Sequence, residues 1–194
     1  MRKRVASLVS NILNPFAVSL AAVLVLSFES TSRAADALRW SLILVAVGLL
    51  PVFSATVYLA RTGRVDGVLV ATRRQRTSIY LLSIACAAIG YAVLNYMEAP
   101  VMLRAAFAGG LSGAILFTII NLWWKISLHT AFTAVLATIL VVLYGWIATA
   151  GVVAVLLLAW ARLVLKHHSP AQVVAGALLA GLITVAVFNL FGLP

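Results

Sequence analysis

Apolar runs recur along the chain at residues 15–28, 40–60, 79–97, 101–122, 128–144, 146–165 and 173–191. Most approach the roughly 20 residues with which a helix crosses the hydrocarbon of a bilayer, and the first reaches that length if it starts near Val5. They are too long for barrel strands, which alternate over about 10 residues. Helices are also one of only two ways to satisfy every backbone polar group in lipid. The pattern predicts an all-α, multi-pass transmembrane helical bundle of six or seven spans. It forms a single integral-membrane domain over residues 1–194, with no low-complexity segment and no detectable repeat.

Composition agrees. Of 194 residues, 64% are hydrophobic and 9% charged, with a mean hydropathy of +1.15, whereas soluble domains carry roughly 25% charged residues. The N-terminal sequence MRKR, an apolar run and AADA near residue 35 imitate a cleaved signal peptide. Asn14-Pro15 interrupts the run, and Arg33 sits where a cleavage region wants small neutral residues, so the segment reads as a retained first span. Cys86, the lone cysteine, can form no internal disulfide and reads as a small packing residue. Trp40, Trp123, Trp124 and Trp160 read as interfacial belt residues. The pairs Gly109/Gly113 and Ala177/Gly181 have the four-residue spacing that lets membrane helices approach closely.

Charge sorts the loops into two sides. One side collects Arg2, Lys3, Arg4, Arg61, Arg64, Arg73, Arg74, Arg76, Lys125, Arg162 and Lys166, which is 11 of the 14 basic residues. The other has Arg33, Arg39 and Arg104 facing Glu29, Asp36 and Glu98. The positive-inside rule places the basic side in the cytoplasm, with the chain in the cell membrane. Basic residues that bind an anion confound the rule, but excluding Arg73, Arg76, Lys125, Arg162 and Lys166 still leaves six against three. Residues 61–78, with five arginines among Val65, Val68, Leu69 and Val70, read as an amphipathic helix in the membrane interface.

Three polar islands lie on the basic side: RRQR at 73–76, KISLHT at 125–130 and RLVLKHH at 162–168. Two spans separate each from the next, so all three are expected to converge at one membrane face. They supply arginine, lysine, serine and histidine with almost no carboxylate. Arginine forks match phosphate oxygens, and histidine supplies a nucleophile or proton donor near neutral pH. Ser127 and His129 fall at a helix start, whose free N–H groups favour an anion. Pro170 sits where the next helix would begin. The chain has four acidic residues, whereas magnesium-dependent transfer needs several carboxylates around the metal. Three histidines make a poor zinc hydrolase. Metal-free covalent catalysis by histidine remains, with no metal and no cofactor expected.

At these residues the chain resembles the type 2 phosphatidic acid phosphatase superfamily of integral-membrane lipid phosphatases, over about residues 66–191. That family shows Lys, six residues, then Arg-Pro; next Pro-Ser-Gly-His; and then Ser-Arg, five residues, His, three residues, Asp. Here Ala161-Arg162 is followed after five residues by His168 and after three more by Gln172. ISLH at 126–129 keeps Ser127 and His129, and Arg76-Thr77 stands for Arg-Pro, with Leu69 in the lysine's place. The resemblance implies that His168 attacks phosphorus and carries a phosphohistidine, and that His129 protonates the leaving group. It also implies that Arg76, Ser127 and Arg162 hold the phosphoryl oxygens, with Lys125 and Arg73 standing in for the lost lysine. Gln172 can orient His168 but brings no charge, so slower chemistry is expected. The expected partner is a membrane lipid phosphate (phosphatidic acid, phosphatidylglycerol phosphate or a polyprenyl diphosphate) and not nucleic acid. The alternative is a catalytically weak or inactive protein that binds anionic headgroups with the same basic face.

Overall fold

The computed structural model describes residues 1–70 and 72–193, with the backbone alone at Trp146 and Ile147. It is all-helical, 82% helix, with no strand among the described residues. The α-helices are α1 (Arg2–Ile12), α2 (Pro15–Glu29), α3 (Ala34–Leu44), α4 (Leu50–Arg61), α5 (Arg76–Tyr96), α6 (Val101–Asn121), α7 (Leu128–Tyr144), α8 (Ala150–Val164) and α9 (Pro170–Leu190).

Local chemistry explains the breaks. The Asn14 side-chain oxygen accepts the N–H groups of Phe16 and Ala17, each at 3.0 Å, so α2 starts afresh at Pro15. The chain bends by 43° between α1 and α2. Pro51 lacks an N–H and crowds the carbonyl four residues back. The helix absorbs this in one π turn, Val45–Leu49, between α3 and α4. Gly63 (φ 70°), Glu98 (φ 53°), Lys166 (φ 55°) and Gly192 (φ 71°) take the left-handed conformation just past α4, α5, α8 and α9. Each is followed by an N–H that bonds back into its helix, as from His167 to the Arg162 carbonyl at 3.2 Å. This turn fixes the chain between Arg162 and His168.

Four helical stretches are long and apolar enough to cross a membrane: Ala34–Arg61, Arg73–Tyr96, Val101–Asn121 and Pro170–Leu190. The bent pair Arg2–Ile12 with Pro15–Glu29 makes a fifth if it counts as one span. The expected six or seven would also require α7 and α8, which are apolar but only 17 and 15 residues long. The run at 146–165 is shortened because Gly145 (φ 63°) opens a 3-10 turn, Gly145–Thr149, ahead of α8. Side chains such as Leu42, Ile89, Leu156, Leu178 and Leu182 are more than half exposed, an apolar surface that suits lipid.

The chain divides into two compact units, Met1–Ala22 with Lys125–Pro194, and Val23–Trp124. In the first, α7 packs on α8 and α9, and α1 packs on α8. In the second, α5 packs on α6, and the Phe107 ring fills the notch left by Gly48 and Gly90. A β-carbon at Gly90 would stand 2.2 Å from that ring.

Three expectations change. Residues 61–78 are not an interfacial helix. After α4 the described part is turns and bends, then one 3-10 turn, Arg73–Gln75, before α5; Ala71 lies outside the described residues. Gly63 and Gly67 take positive φ, and the Asp66 carboxylate accepts the Thr72 N–H and hydroxyl, each at 2.7 Å. Side chains that bond the nearby backbone compete with a helix. Trp40 is buried, with the Arg39 guanidinium 5.5 Å from its ring centre, rather than standing in a belt; Trp123 and Trp124 are exposed. Gly113 faces open space, so the close approaches in this unit belong to Gly48 and Gly90.

Candidate active site

In the first unit, the start of α7 and the start of α9 lie side by side. The Ser127 N–H donates to the Gln172 carbonyl at 3.3 Å, and the Thr130 hydroxyl donates to the Val173 carbonyl at 3.3 Å. Gly176 makes this seam possible, because a β-carbon there would lie 2.7 Å from the Ser127 carbonyl oxygen and 3.1 Å from Thr130 Oγ1. The Lys125 ammonium donates to the His167 carbonyl at 3.2 Å, tying the second island to the third. Two helix N-termini therefore open beside one another, and the partial positive charge of each favours an anion.

Gln172 holds the centre of this arrangement. Ser169 is the N-cap of α9, its hydroxyl accepting the Gln172 N–H at 3.4 Å, while its own N–H donates to Gln172 Oε1 at 3.2 Å. The two form a reciprocal capping box. The same Oε1 lies 3.1 Å from His168 Nδ1. A backbone N–H can only donate, so the atom facing Ser169 is the amide oxygen, which can only accept. His168 Nδ1 therefore carries the proton in this bond, and in the neutral ring Nε2 carries the lone pair.

The remaining residues of the second and third islands lie in the same unit. Ser127, His129, Arg162 and His168 are all buried, from 0% to 7% exposed. Ser127 occupies the N-cap of α7 without capping it, and its buried hydroxyl makes no hydrogen bond among the described residues. His129 sits two residues further, in the first turn. Arg162 lies in the last turn of α8, and its Nη1 donates to Ser10 Oγ of α1 at 2.9 Å. His167 is pushed below the ordinary histidine range by partial burial and then by the positive charges of Arg162 and Lys125. Both of these lesser causes are cations, which disfavour a further positive charge on the ring.

The first island lies in the second unit. Arg76 is buried, with Nε donating to the Val70 carbonyl at 2.8 Å. Arg73 Nη1 donates to the Asn121 carbonyl at 2.7 Å and to the Leu122 carbonyl, at the end of α6. The Asn121 amide returns a bond to the Arg73 carbonyl at 3.2 Å. Arg73, Arg74, Thr77, Asn121 and Leu122 line a cleft of about 250 Å³. The structure thus gathers Lys125, Ser127, His129, Arg162, His168 and Gln172 in one unit and holds Arg73 and Arg76 within the other. Sequence reasoning missed Ser10, Thr130, Ser169 and Gly176. Of these, Ser169 had a signal, since Ser-x-x-Gln before an apolar run spells a capping box.

The arrangement can bind a phosphoryl group among cations and helix N-termini and present an imidazole to it. Residues 112–193 match the family model of the PAP2 superfamily, the same superfamily whose motifs the second and third islands resemble. No curated protein and no solved structure matches the chain. The matched stretch holds all six candidate residues of the first unit and neither Arg73 nor Arg76. The match supports a phosphatase-type hydrolase.

Proposed function

We propose that the chain is a metal-independent phosphatase acting on a phosphomonoester or diphosphate of a membrane lipid through a phosphohistidine at His168. The substrate would be phosphatidic acid, phosphatidylglycerol phosphate or a polyprenyl diphosphate. The observation that carries the reading is the Ser169–Gln172–His168 relay, which assigns the proton to Nδ1 and the lone pair to Nε2. Nε2 attacks phosphorus while the bond to the leaving oxygen breaks, and His129 gives that oxygen its proton. Water then attacks the phosphohistidine, His129 takes a proton from it, and the P–N bond breaks to release inorganic phosphate. Arg162, Ser127 and Lys125 would stabilise the equatorial oxygens.

Gln172 favours a second reading, a weak or inactive binder of anionic headgroups, because an amide cannot stabilise the imidazolium by charge. Phosphate release from each of the three lipid classes by the purified protein, with and without EDTA, separates the two. Release from at least one lipid, unchanged by EDTA, is expected; no release from any favours the binder, and EDTA sensitivity overturns metal independence.

Gln172→Glu keeps the length of the side chain and the capping box, and places a carboxylate beside Nδ1. The kcat/KM is expected to rise by up to about tenfold, about 1.4 kcal/mol, a modest charge-assisted bond. The carboxylate raises the His168 pKa, so the acid limb of the pH profile should move to higher pH. A tenfold fall instead would mean that the site works with the neutral amide.

The site is proposed to face the cytoplasm, since MRKR and the loop arginines on its side oppose translocation. Lys166, exposed between α8 and α9, reports this side directly. With Cys86→Ala in place, Lys166→Cys should react with a membrane-impermeant thiol reagent only after lysis. Labelling of intact cells would put the site on the outer face.

A further inference from the structure

Arg162 is 6% exposed and stands at the end of α8, where the chain turns at once towards His168. A long, charged side chain in such a place needs something to fix it, because a guanidinium on a four-bond stem has many rotamers. The three polar islands contain no Asp or Glu. The hydrogen bond that holds its Nη1 comes from a residue 152 positions earlier, Ser10 of α1, at 2.9 Å.

Three features show that this contact is built into the unit. Ser10 is 3% exposed and Ala6, one turn before it, is 0% exposed, so α1 turns a face of small side chains towards α8. Leu158 and Ala161 on α8 are also fully buried, which lets the two helices lie close enough for a serine to reach the guanidinium. The break at Asn14-Pro15 sets the direction of α1 independently of α2, with a 43° bend between them. The opposite face of α1, with Val5, Leu8 and Ile12 exposed, is apolar and suits lipid.

We infer that Ser10 is a positioning residue of the phosphate site, fixing the Arg162 guanidinium through its Nη1 at the end of α8, beside the turn that leads to His168. This rests on the phosphatase reading given above and adds a part of the chain to it. α1 lies outside residues 112–193, the stretch that matches the family model, so the clamp is supplied by this chain's own N-terminal helix. A neutral acceptor suits the task. Serine fixes the guanidinium by one hydrogen bond without neutralising it, whereas a carboxylate in its place would compete with the phosphate for the same charge.

The test compares the wild-type chain with Ser10→Ala and Ser10→Thr, using hydrolysis of the best lipid phosphate and inhibition by orthovanadate. Vanadate takes the five-coordinate geometry of phosphoryl transfer, and its inhibition constant does not depend on how much of a preparation is folded. Ser10→Ala should raise that constant, and lower kcat/KM, at least about tenfold, the loss of one hydrogen bond to a charged group. Ser10→Thr retains the acceptor and should stay within about twofold of wild type. A vanadate constant unchanged in Ser10→Ala, even with less active protein recovered, overturns the positioning role and leaves the phosphatase reading standing. A wild-type chain that hydrolyses no lipid phosphate overturns both.

Discussion

Replacing His168 with alanine should lower phosphate release by at least about a thousandfold, a barrier increase of about 4 kcal/mol. The alanine variant should remain folded in detergent, because His168 is not a member of the Ser169–Gln172 capping box that starts α9. His129→Ala should lose less, since it removes a proton donor rather than the nucleophile, and typical acid–base contributions are about a hundredfold or more. Activity of His168→Ala within about threefold of wild type would remove that residue from the chemistry.

The second large effect is expected from one methyl group. In Gly176→Ala the new carbon would meet the Ser127 carbonyl at 2.7 Å and Thr130 Oγ1 at 3.1 Å. The first of these is backbone in a helix cap, so the strain falls on the α7–α9 seam rather than on a flexible side chain. Overpacking of this kind costs about 1–3 kcal/mol. Separating the helices also breaks the bond from Ser127 N–H to the Gln172 carbonyl, and so moves Gln172 with the histidine it orients. We expect a lower midpoint of thermal unfolding together with at least a tenfold loss in kcat/KM. Gly181→Ala is the control: its nearest contact, Thr138 Oγ1, is 3.3 Å away, and both quantities should stay close to wild type. If the two variants behave alike, the seam does not control the site.

The apolar runs located the helices because lipid demands a long unbroken apolar stretch, and no tertiary contact is needed to see one. Pro15 likewise announced the break between α1 and α2. Where the sequence misled, local chemistry opposed composition. The arginines and valines of residues 61–78 have an amphipathic look, yet Gly63, Gly67 and Asp66 favour turns, and the Asp66 carboxylate ties the loop to Thr72. The shortening of α8 follows from Gly145 at positive φ, which an apolar run does not reveal.

The site divides in the same way. Spacing marked Arg162, His168 and Gln172 as candidates, because they share one turn and one helix start. It marked Ser127 and His129 as candidates for the same reason. The bond from Arg162 to Ser10 spans 152 residues and leaves no local trace. Gly176 was hidden because small residues are common in apolar helices; the spacing pointed to Ala177 and Gly181, one position along.

The most direct measurement of the central claim is to trap the covalent intermediate. The protein would be mixed briefly with a lipid phosphate carrying radiolabelled phosphorus, quenched in alkali, and digested. A phosphorus–nitrogen bond withstands alkali and is lost in acid. The account predicts an alkali-stable, acid-labile label on the peptide that contains His168, absent in His168→Ala and present with EDTA. Release of phosphate with no such label, or a label on a serine that survives acid, would contradict it.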